Sequence, residues 1–346
     1  MDLLSLPFSD WQKPFREMGK PGYRADQVRE WIFKHFITNF DEMSNLPKTF
    51  RDKLKTVFIL QTLEIVQELK SNDGTVKWIL RTADNMMIEC VMIPDGKRRS
   101  ICLSSQVGCG MGCRFCSTAK MGLGRNLSTG EIVQQYLLVS RYLIETQDLK
   151  LTNAIFMGMG EPLQNLETVA AACKVFSSEK GFGLSKKKIT VSTSGLVPGI
   201  IKWVERAPEY KLAISLNSSI NAVRSDLMPV NRRYPLGELL KAADYYIKKT
   251  GQRLTFEYIL IKDKTCTPQA ARELKRIASR RGCKINLIPL NGAESGSYSV
   301  PSQEEILKFK QILISPNFSL VERKPRGRDI LAACGQLVHQ QQKKVA

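Results

Sequence analysis

Beyond about residue 99 the chain alternates between short apolar runs and longer amphipathic stretches, and this alternation is its dominant pattern. The runs at 100–104, 153–157, 188–192, 211–216, 254–260 and 284–289 are rich in β-branched and aliphatic residues and predict strands. The stretches 128–146, 165–180, 198–206, 236–249, 268–281 and 302–314 repeat their apolar positions at helical spacing. Six strand–helix units of this kind imply a parallel sheet covered by helices. Six are too few to close an eight-fold barrel. The pattern therefore predicts an α/β fold, an open, partial (β/α)6 TIM-like barrel with its site at the C-terminal ends of the strands.

Before this region the pattern changes twice. Residues 1–53 read as a helical accessory domain, with Val28, Trp31, Ile32 and His35 at helical spacing after the basic turn Gly19-Lys-Pro-Gly-Tyr-Arg, and a second short helix from about Asn45 to Leu54. Helix, glycine turn and basic residues together resemble a helix-hairpin-helix nucleic-acid module, and a plain helical pair fits equally well. Residues 54–94 read as a β extension. Its expected strands are Val57–Leu60, Thr75–Leu80 and Met86–Ile93, with turns at Asn72-Asp-Gly and Pro94-Asp-Gly. Residues 95–337 form the core, and 338–346 a frayed tail. Glu89 is the anomaly of the extension, a carboxylate within an apolar strand. If it faces inward it needs a partner or a proton, and if outward it is unremarkable.

Charge narrows the partners. The 346 residues carry 52 Lys+Arg against 33 Asp+Glu, a formal net charge of +19. Such an excess favours a polyanion, most often nucleic acid, with a membrane surface as the lesser alternative. No apolar run reaches the roughly 18 residues that a spanning helix needs. The N-terminus shows no basic segment of a secretory signal, and nine cysteines, an odd number, suit the reducing cytosol. With only His35 and His339, imidazole chemistry is improbable, and sulfur and carboxylate must carry the work.

The sulfur chemistry centres on Cys109-Gly-Met-Gly-Cys113-Arg-Phe-Cys116, three cysteines in one glycine-rich loop. Thiolates so spaced can converge on an iron–sulfur cube, and glycines let the backbone wrap it. Three ligands for four irons leave one iron open to a ligand. Zinc is the competing reading, but no second paired Cys or His motif completes such a site. The spacing resembles the cluster loop of the radical S-adenosylmethionine (SAM) superfamily, whose open iron chelates the methionine moiety of SAM.

Other candidates stand where predicted strands end. Gly160-Glu161 closes the second strand and resembles the motif that holds the SAM amino group. Ser192, Ser215, Leu216, Asn217 and Asn291 end later strands, where each alone could be a cap. Cys334 follows the basic run Arg323-Lys-Pro-Arg-Gly-Arg and has small neighbours, so its thiol is expected to be open and its pKa lowered by nearby cations. Cys90, Cys173, Cys266 and Cys283 are expected to be packing residues.

Together, Ser104-Ser-Gln-Val-Gly-Cys-Gly-Met-Gly-Cys-Arg-Phe-Cys-Ser-Thr, Phe156-Met-Gly-Met-Gly-Glu-Pro-Leu, Ser192-Thr-Ser-Gly, Asn286-Leu-Ile-Pro and Ala332-Ala-Cys-Gly-Gln-Leu resemble the dual-specificity 23S rRNA/tRNA adenine-C2 methyltransferase family over essentially the whole chain. The resemblance implies a 4Fe–4S cluster on Cys109, Cys113 and Cys116. It implies SAM contacts at Gly160, Glu161, Ser192, Ser215, Leu216, Asn217 and Asn291. It gives Cys334 the role of S-methylated cysteine, Cys102 that of its disulfide-forming partner, and Glu89 that of proton acceptor. Adenine C2 cannot attack a methyl group, so the implied route consumes two SAM molecules: one methylates Cys334, and the other yields the radical that activates this methyl for addition to C2. The implied partners are 23S rRNA, in its peptidyl transferase centre, and tRNA, next to the anticodon, with an electron donor such as flavodoxin or ferredoxin. A cytoplasmic monomer is expected. Three positions depart from the family pattern: Asn217 where His is common, and Pro325 and Arg328 where Thr/Ser and Asp are usual. A C8-specific rRNA methyltransferase and a non-catalytic iron–sulfur RNA-binding protein remain as alternatives, although Ser117-Thr and the Ala-Ala-Cys-Gly-Gln-Leu segment favour C2.

Overall fold

A computed structural model describes residues 1–291 and 298–337. The expected tail, 338–346, lies outside the described residues, as does His339. The chain opens with helices α1 (Gln12–Glu17), α2 (Tyr23–Lys34) and α3 (Lys48–Val57). The buried stripe of α2 is Ala25, Val28, Ile32 and Phe33, while Trp31 and His35 lie on its flank and touch each other. The run Val57–Leu60, expected as a strand, is not one: Val57 ends α3, and residues 58–60 make only a single bridge, Ile59 to Asp2. An amphipathic helix takes Val57 because Leu54 and Phe58 already face the same core.

Strands β1 (Leu63–Lys70), β2 (Val76–Thr82), β3 (Met87–Asp95) and β4 (Arg98–Cys102) follow as antiparallel neighbours. β1 was not anticipated: only Leu63 of it is buried, and Ile65 and Val66 stand exposed on the sheet edge. A small hairpin, β5 (Gln106–Gly108) with β6 (Leu123–Asn126), frames the cysteine loop and the short helix α4 (Ser117–Lys120). Then come α5 (Thr129–Gln147), β7 (Asn153–Phe156), α6 (Leu166–Ser177), β8 (Ile189–Thr193), α7 (Val197–Arg206) and β9 (Lys211–Ser215). The remainder is α8 (Asn221–Leu227), α9 (Val230–Arg233), α10 (Leu236–Thr250), β10 (Thr255–Leu260), α11 (Pro268–Ser279), β11 (Lys284–Pro289), α12 (Gln303–Leu313) and β12 (Ser319–Glu322).

The strands form one ten-stranded sheet in the order β1-β2-β3-β4-β7-β8-β9-β10-β11-β12. From β4 to β12 every neighbouring pair is parallel, so six strand–helix units are completed by a further strand, β12. The sheet keeps two edges, β1 and β12, as an open barrel must. The expected fold class therefore holds, with the antiparallel extension continuing the same sheet.

A strap bridges the two edges. After β12 the chain returns to the β1–β2 turn, where Gly327 N–H donates to Asp73 (3.0 Å) and Asp329 accepts from Ser71 Oγ (2.6 Å) and Asn72 N–H (3.2 Å). Lys77 Nζ then donates to the Leu331 carbonyl at 3.2 Å. Ser117 N–H binds the Gly335 carbonyl (2.8 Å), and Thr118 Oγ1 that of Leu337 (2.6 Å). These bonds carry Cys334 into the barrel.

The helical module rests on α5. Arg141 reaches Glu42 at 2.9 Å, and Ser5 Oγ accepts from the Gly130 amide at 2.9 Å. Ser128 and Glu131 cap each other's backbone at the start of α5, which fixes its first turn beside the β5–β6 hairpin.

Candidate active site

The cysteine loop is pinned from two sides. Cys109 N–H donates to the Gly122 carbonyl of the hairpin (2.7 Å), and Arg114 N–H to the Leu227 carbonyl of α8 (3.0 Å). Gly108 has φ +71°, and a Cβ there would collide with the Gly122 carbonyl oxygen. Cys109, Cys113 and Cys116 lie close enough for each thiolate charge to bear on the next. A four-iron cube spreads its ligands over three corners, and three thiols on one short loop are a donor set that fits it. Burial pushes Cys109 up to about 11 and Cys113 higher still, so an iron centre must supply the charge that makes thiolates here. Gly108→Ala is expected to cost at least ~1–3 kcal/mol from backbone strain alone. It should lower both the thermal midpoint and the iron bound after anaerobic reconstitution; full iron at an unchanged midpoint would show the hairpin tolerates a side chain.

Arg224 was not anticipated. Its guanidinium is fully buried and donates to the carbonyls of Leu216 (2.9 Å), Ser215 (3.2 Å) and Ser194 (2.6 Å) and to Asn231 Oδ1 (2.9 Å). It ties the ends of β8 and β9 together and sets a positive charge near Cys113. Nothing in the sequence around α8 distinguishes it from a surface arginine.

At the C-terminal ends of β7 to β10 the structure gathers Gly160, Glu161, Ser192 and Asn217. Gly160 has φ +103°, and a Cβ there would stand 2.6 Å from Gln106 Cβ. Glu161 is buried and accepts from the amides of Ser194 (2.7 Å) and Leu163 (3.1 Å). Burial raises its pKa, and those bonds oppose the rise. The buried hydroxyl of its neighbour Ser194 also bears on the Glu161 carboxylate. Ser194 was passed over in favour of Ser192 because the motif alone does not say which serine turns inward. Asn217 takes a left-handed backbone, φ +55°, a conformation in which Asn and His are both enriched. Its Oδ1 accepts from Ile259 N–H (3.2 Å), and its amide nitrogen rests on Met228 Sδ (3.5 Å).

Other expected contacts are engaged within the protein. The Leu216 side chain is core, and the Leu216 and Ser215 carbonyls hold Arg224. Asn291 turns to the strap: its Nδ2 donates to the Cys334 carbonyl (3.3 Å), and its Oδ1 accepts from Arg328 Nε (3.3 Å). Arg328, one of the three departures, thus helps to place the loop that carries Cys334.

A cavity of about 540 Å³ fills the barrel, and Cys102, Met157, Glu257, Asn286, Asn291 and Cys334 are among its walls. Cys102 ends β4; Cys334 lies on the strap, exposed, and lines the same cavity. Arg323 acts on both sulfurs and lies 3.5 Å from Glu257, which accepts from Asn286 Nδ2 at 2.8 Å. The expectation of a low Cys334 pKa is corrected: burial raises it, and Arg323 offsets this only in part. Cys102 is likewise pushed up to about 12 by burial, then by the like charge of Cys334, against Arg323. Glu257 and Asn286 were missed, although each is a polar residue in an apolar strand, the same signal that drew attention to Glu89.

Glu89 proves to be buried, with neither carboxylate oxygen hydrogen-bonded. Val91 is the register partner of Cys102, so Glu89, two residues along β3, points to the same face. Its nearest cation is the buried Lys77 Nζ, at 3.5 Å. Burial raises the Glu89 pKa, and Lys77 opposes this. Cys90, Cys173 and Cys283 are buried, as expected of packing residues, and Cys266 is half-buried.

Comparisons with known proteins agree with this geometry. A family model described as the ribosomal RNA large subunit methyltransferase N-terminal domain matches residues 1–60, and the radical SAM superfamily model matches 103–265. A protein of Anaeromyxobacter sp. (strain Fw109-5) named "Dual-specificity RNA methyltransferase RlmN" is 43% identical over 340 residues, covering 97% of this chain and 90% of its own. One of the same name from Syntrophus aciditrophicus is 43% identical over 320 residues, covering 92% and 91%. The crystal structure of a radical SAM methyltransferase from Sphaerobacter thermophilus superimposes with a TM-score of 0.94 at 41% identity, covering 97% of this chain and 98% of that one. With its cysteine loop, its open barrel and its helical module all matched over nearly the full length, the chain belongs to the RlmN family of radical SAM RNA methyltransferases.

Proposed function

We infer that this chain methylates C2 of an adenine in 23S rRNA and in tRNA, with Cys334 carrying the transferred carbon and Cys102 releasing it. The observation that carries the reading is that these two cysteines, 232 positions apart in the chain, line one cavity beneath the cluster loop. The RNA substrates follow from the names of the relatives and of the N-terminal family model.

Cys109, Cys113 and Cys116 would hold the 4Fe–4S cluster, and Gly160, Glu161, Ser192, Ser194 and Asn217 would surround SAM. Together these groups supply the methyl and the one-electron chemistry that an inert C2 position requires. The chain's own residues do the rest. Cys334 accepts the methyl on sulfur and presents it to the cavity. Arg323 holds positive charge between the two sulfurs and favours each thiolate as it forms. Glu89 accepts the C2 proton, its acidity set by burial against Lys77. Cys102 attacks the Cys334 sulfur and forms a disulfide; the bond from that sulfur to the product carbon breaks, the electron pair stays with the carbon and the adenine ring, and a proton taken up there completes the methyl group. Because burial pushes the Cys102 thiol above its ordinary value, this release quickens as pH rises through the neutral range. An electron donor such as flavodoxin or ferredoxin, a monomeric state and a cytoplasmic setting complete the reading. No helix among the described residues is long and apolar enough to cross a membrane.

Anaerobic reconstitution tests it. The wild-type protein should bind about four irons, and replacing Cys109, Cys113 and Cys116 together by Ala should abolish that. With SAM, a reductant and RNA, nucleoside mass spectrometry should find 2-methyladenosine. An 8-methyl product, or no SAM cleavage, would overturn the reading in favour of the C8 enzyme or the RNA-binding protein respectively.

A further inference from the structure

The cavity below Cys334 has a second end, among the residues that begin the strands. Arg98 opens β4, Lys211 opens β9 and Lys284 opens β11. Lys187 stands just before β8. All four line the cavity. Its acidic walls are Asp95, Glu257 and Glu322, and each already faces another cation: Arg326 at 3.8 Å, Arg323 at 3.5 Å and Lys310 at 2.9 Å. The four rim cations therefore have no ion-pair partner among the described residues.

Such a ring is unfavourable by itself. Burial pushes Lys211 and Lys284 down; Lys188 and Arg98 push Lys211 further, while Glu257 opposes the fall of Lys284 and Arg323 and Arg98 add to it. Like charges held together at the lip of a cavity call for an external anion with several charges at matching spacing. The lip also adjoins the helical module, since Lys34 of α2 binds the carbonyls of Glu179 (2.9 Å) and Gly181 (3.0 Å), shortly before Lys186-Lys-Lys.

We propose that this rim is the dock for the phosphates of the RNA substrate, and that the cavity behind it is the path by which the target adenine reaches Cys334. The proposal rests on the reaction inferred above. It assigns the two ends of the barrel to different tasks: SAM above, at the C-terminal strand ends, RNA below, and the carbon carrier between them. From Arg98 to Cys102 the strand rises about 13 Å at ~3.3 Å per residue. A stacked duplex cannot deliver a base to that depth, so the entering nucleotide comes from an unstacked loop, its backbone held at the rim.

The test uses the full, cluster-loaded chain and an RNA stem-loop with an adenine in its loop. Lys211→Glu with Lys284→Glu should weaken RNA binding about tenfold or more at 0.1 M salt. The log–log salt slope should become shallower by roughly 1.4, two phosphate contacts at ~0.7 each. Lys241→Glu with Lys248→Glu, the same charge change on the exposed face of α10, should change affinity less than about twofold. Because a rim variant can fail to fold, a second measurement uses the wild-type protein. Acetylation by an amine-reactive ester should be blocked by RNA at Lys187, Lys211 and Lys284 and not at Lys241 or Lys248. Equal labelling of the rim with and without RNA, or equal losses from rim and α10 variants, would overturn the dock. Failure of the wild-type protein to form methyladenosine would instead overturn the reaction, and the labelling pattern would still decide the dock.

Discussion

Cys102→Ala protein, incubated anaerobically with SAM, a reductant and RNA, is expected to migrate on a denaturing gel as a covalent protein–RNA adduct. The expectation follows from one cavity and two sulfurs. Cys334 reaches the cavity on a strap and can take up the carbon without any help from β4. Once that carbon is joined to the adenine, the link from the Cys334 sulfur breaks only if a nucleophile attacks that sulfur. Among the other described cysteines, only Cys102 lines the same cavity. The Ala variant should still acquire the methyl on Cys334, visible by peptide mass spectrometry, and should make less than one product per chain. Cys334→Ala should show neither methyl nor adduct, because nothing carries the carbon. Were both cysteines merely packing residues, each substitution would cost a modest amount of stability and leave turnover intact. Methyladenosine accumulating at the wild-type rate in Cys102→Ala, with no RNA-linked band, would end the carrier role of the pair.

Lys77→Met is expected to slow methylation and to move the rising limb of its pH profile upward. Glu89 must be ionised to accept a proton, and burial holds its pKa above the usual carboxylate range. Lys77 is the cation that counters this, 3.5 Å away and buried alongside it. Without it, Glu89 stays protonated to higher pH, so activity recovers only in more alkaline buffer. Removing one partner of a buried pair costs about 3–5 kcal/mol while the remaining group stays charged. The sign with pH follows. A carboxyl whose folded pKa lies above its unfolded value binds its proton more tightly when folded. Stability of the variant is therefore greatest below the ordinary glutamate pKa and falls as pH rises towards the raised value. Lys77 also holds the Leu331 carbonyl at 3.2 Å, so the variant should loosen the strap and make the Cys334 thiol more reactive to alkylation. Lys77→Arg should restore much of the pH profile, which a purely steric defect would not allow. An unshifted limb in Lys77→Met would separate Glu89 from the proton transfer.

Much of the core was legible because its signals are local. Strand and helix periods follow from which side chains face a neighbouring layer, and they repeat every two or 3.6 residues. The cysteine spacing is local as well, since ligands on one short loop must reach one small object. Both edges escaped notice for the same physical reason. β1 is mostly exposed, and Val321 of β12 faces solvent, so neither edge strand needs an apolar run. The Val57–Leu60 run misled in the opposite sense, because four apolar residues in sequence fit a helix end packed on the core as readily as a strand.

What the sequence determined by itself was the order of the strands and helices, the loop that can hold a cluster, and the family to which these motifs belong. Only the tertiary structure decided which distant residues share a space. The open sheet and the returning strap place Cys334 over Cys102, bring Arg323 to Glu257 and Asn286, and set Arg224 against the cysteine loop. The same closure opposes the expected acidity of Cys334, because desolvation by the surrounding walls raises the thiol against the pull of Arg323. It also gathers four separate lysines and arginines at one lip. Charge and chemistry are carried by residue types, which can be read in order. Proximity and desolvation depend on where the sheet curves and where the chain comes back, and no local pattern encodes either.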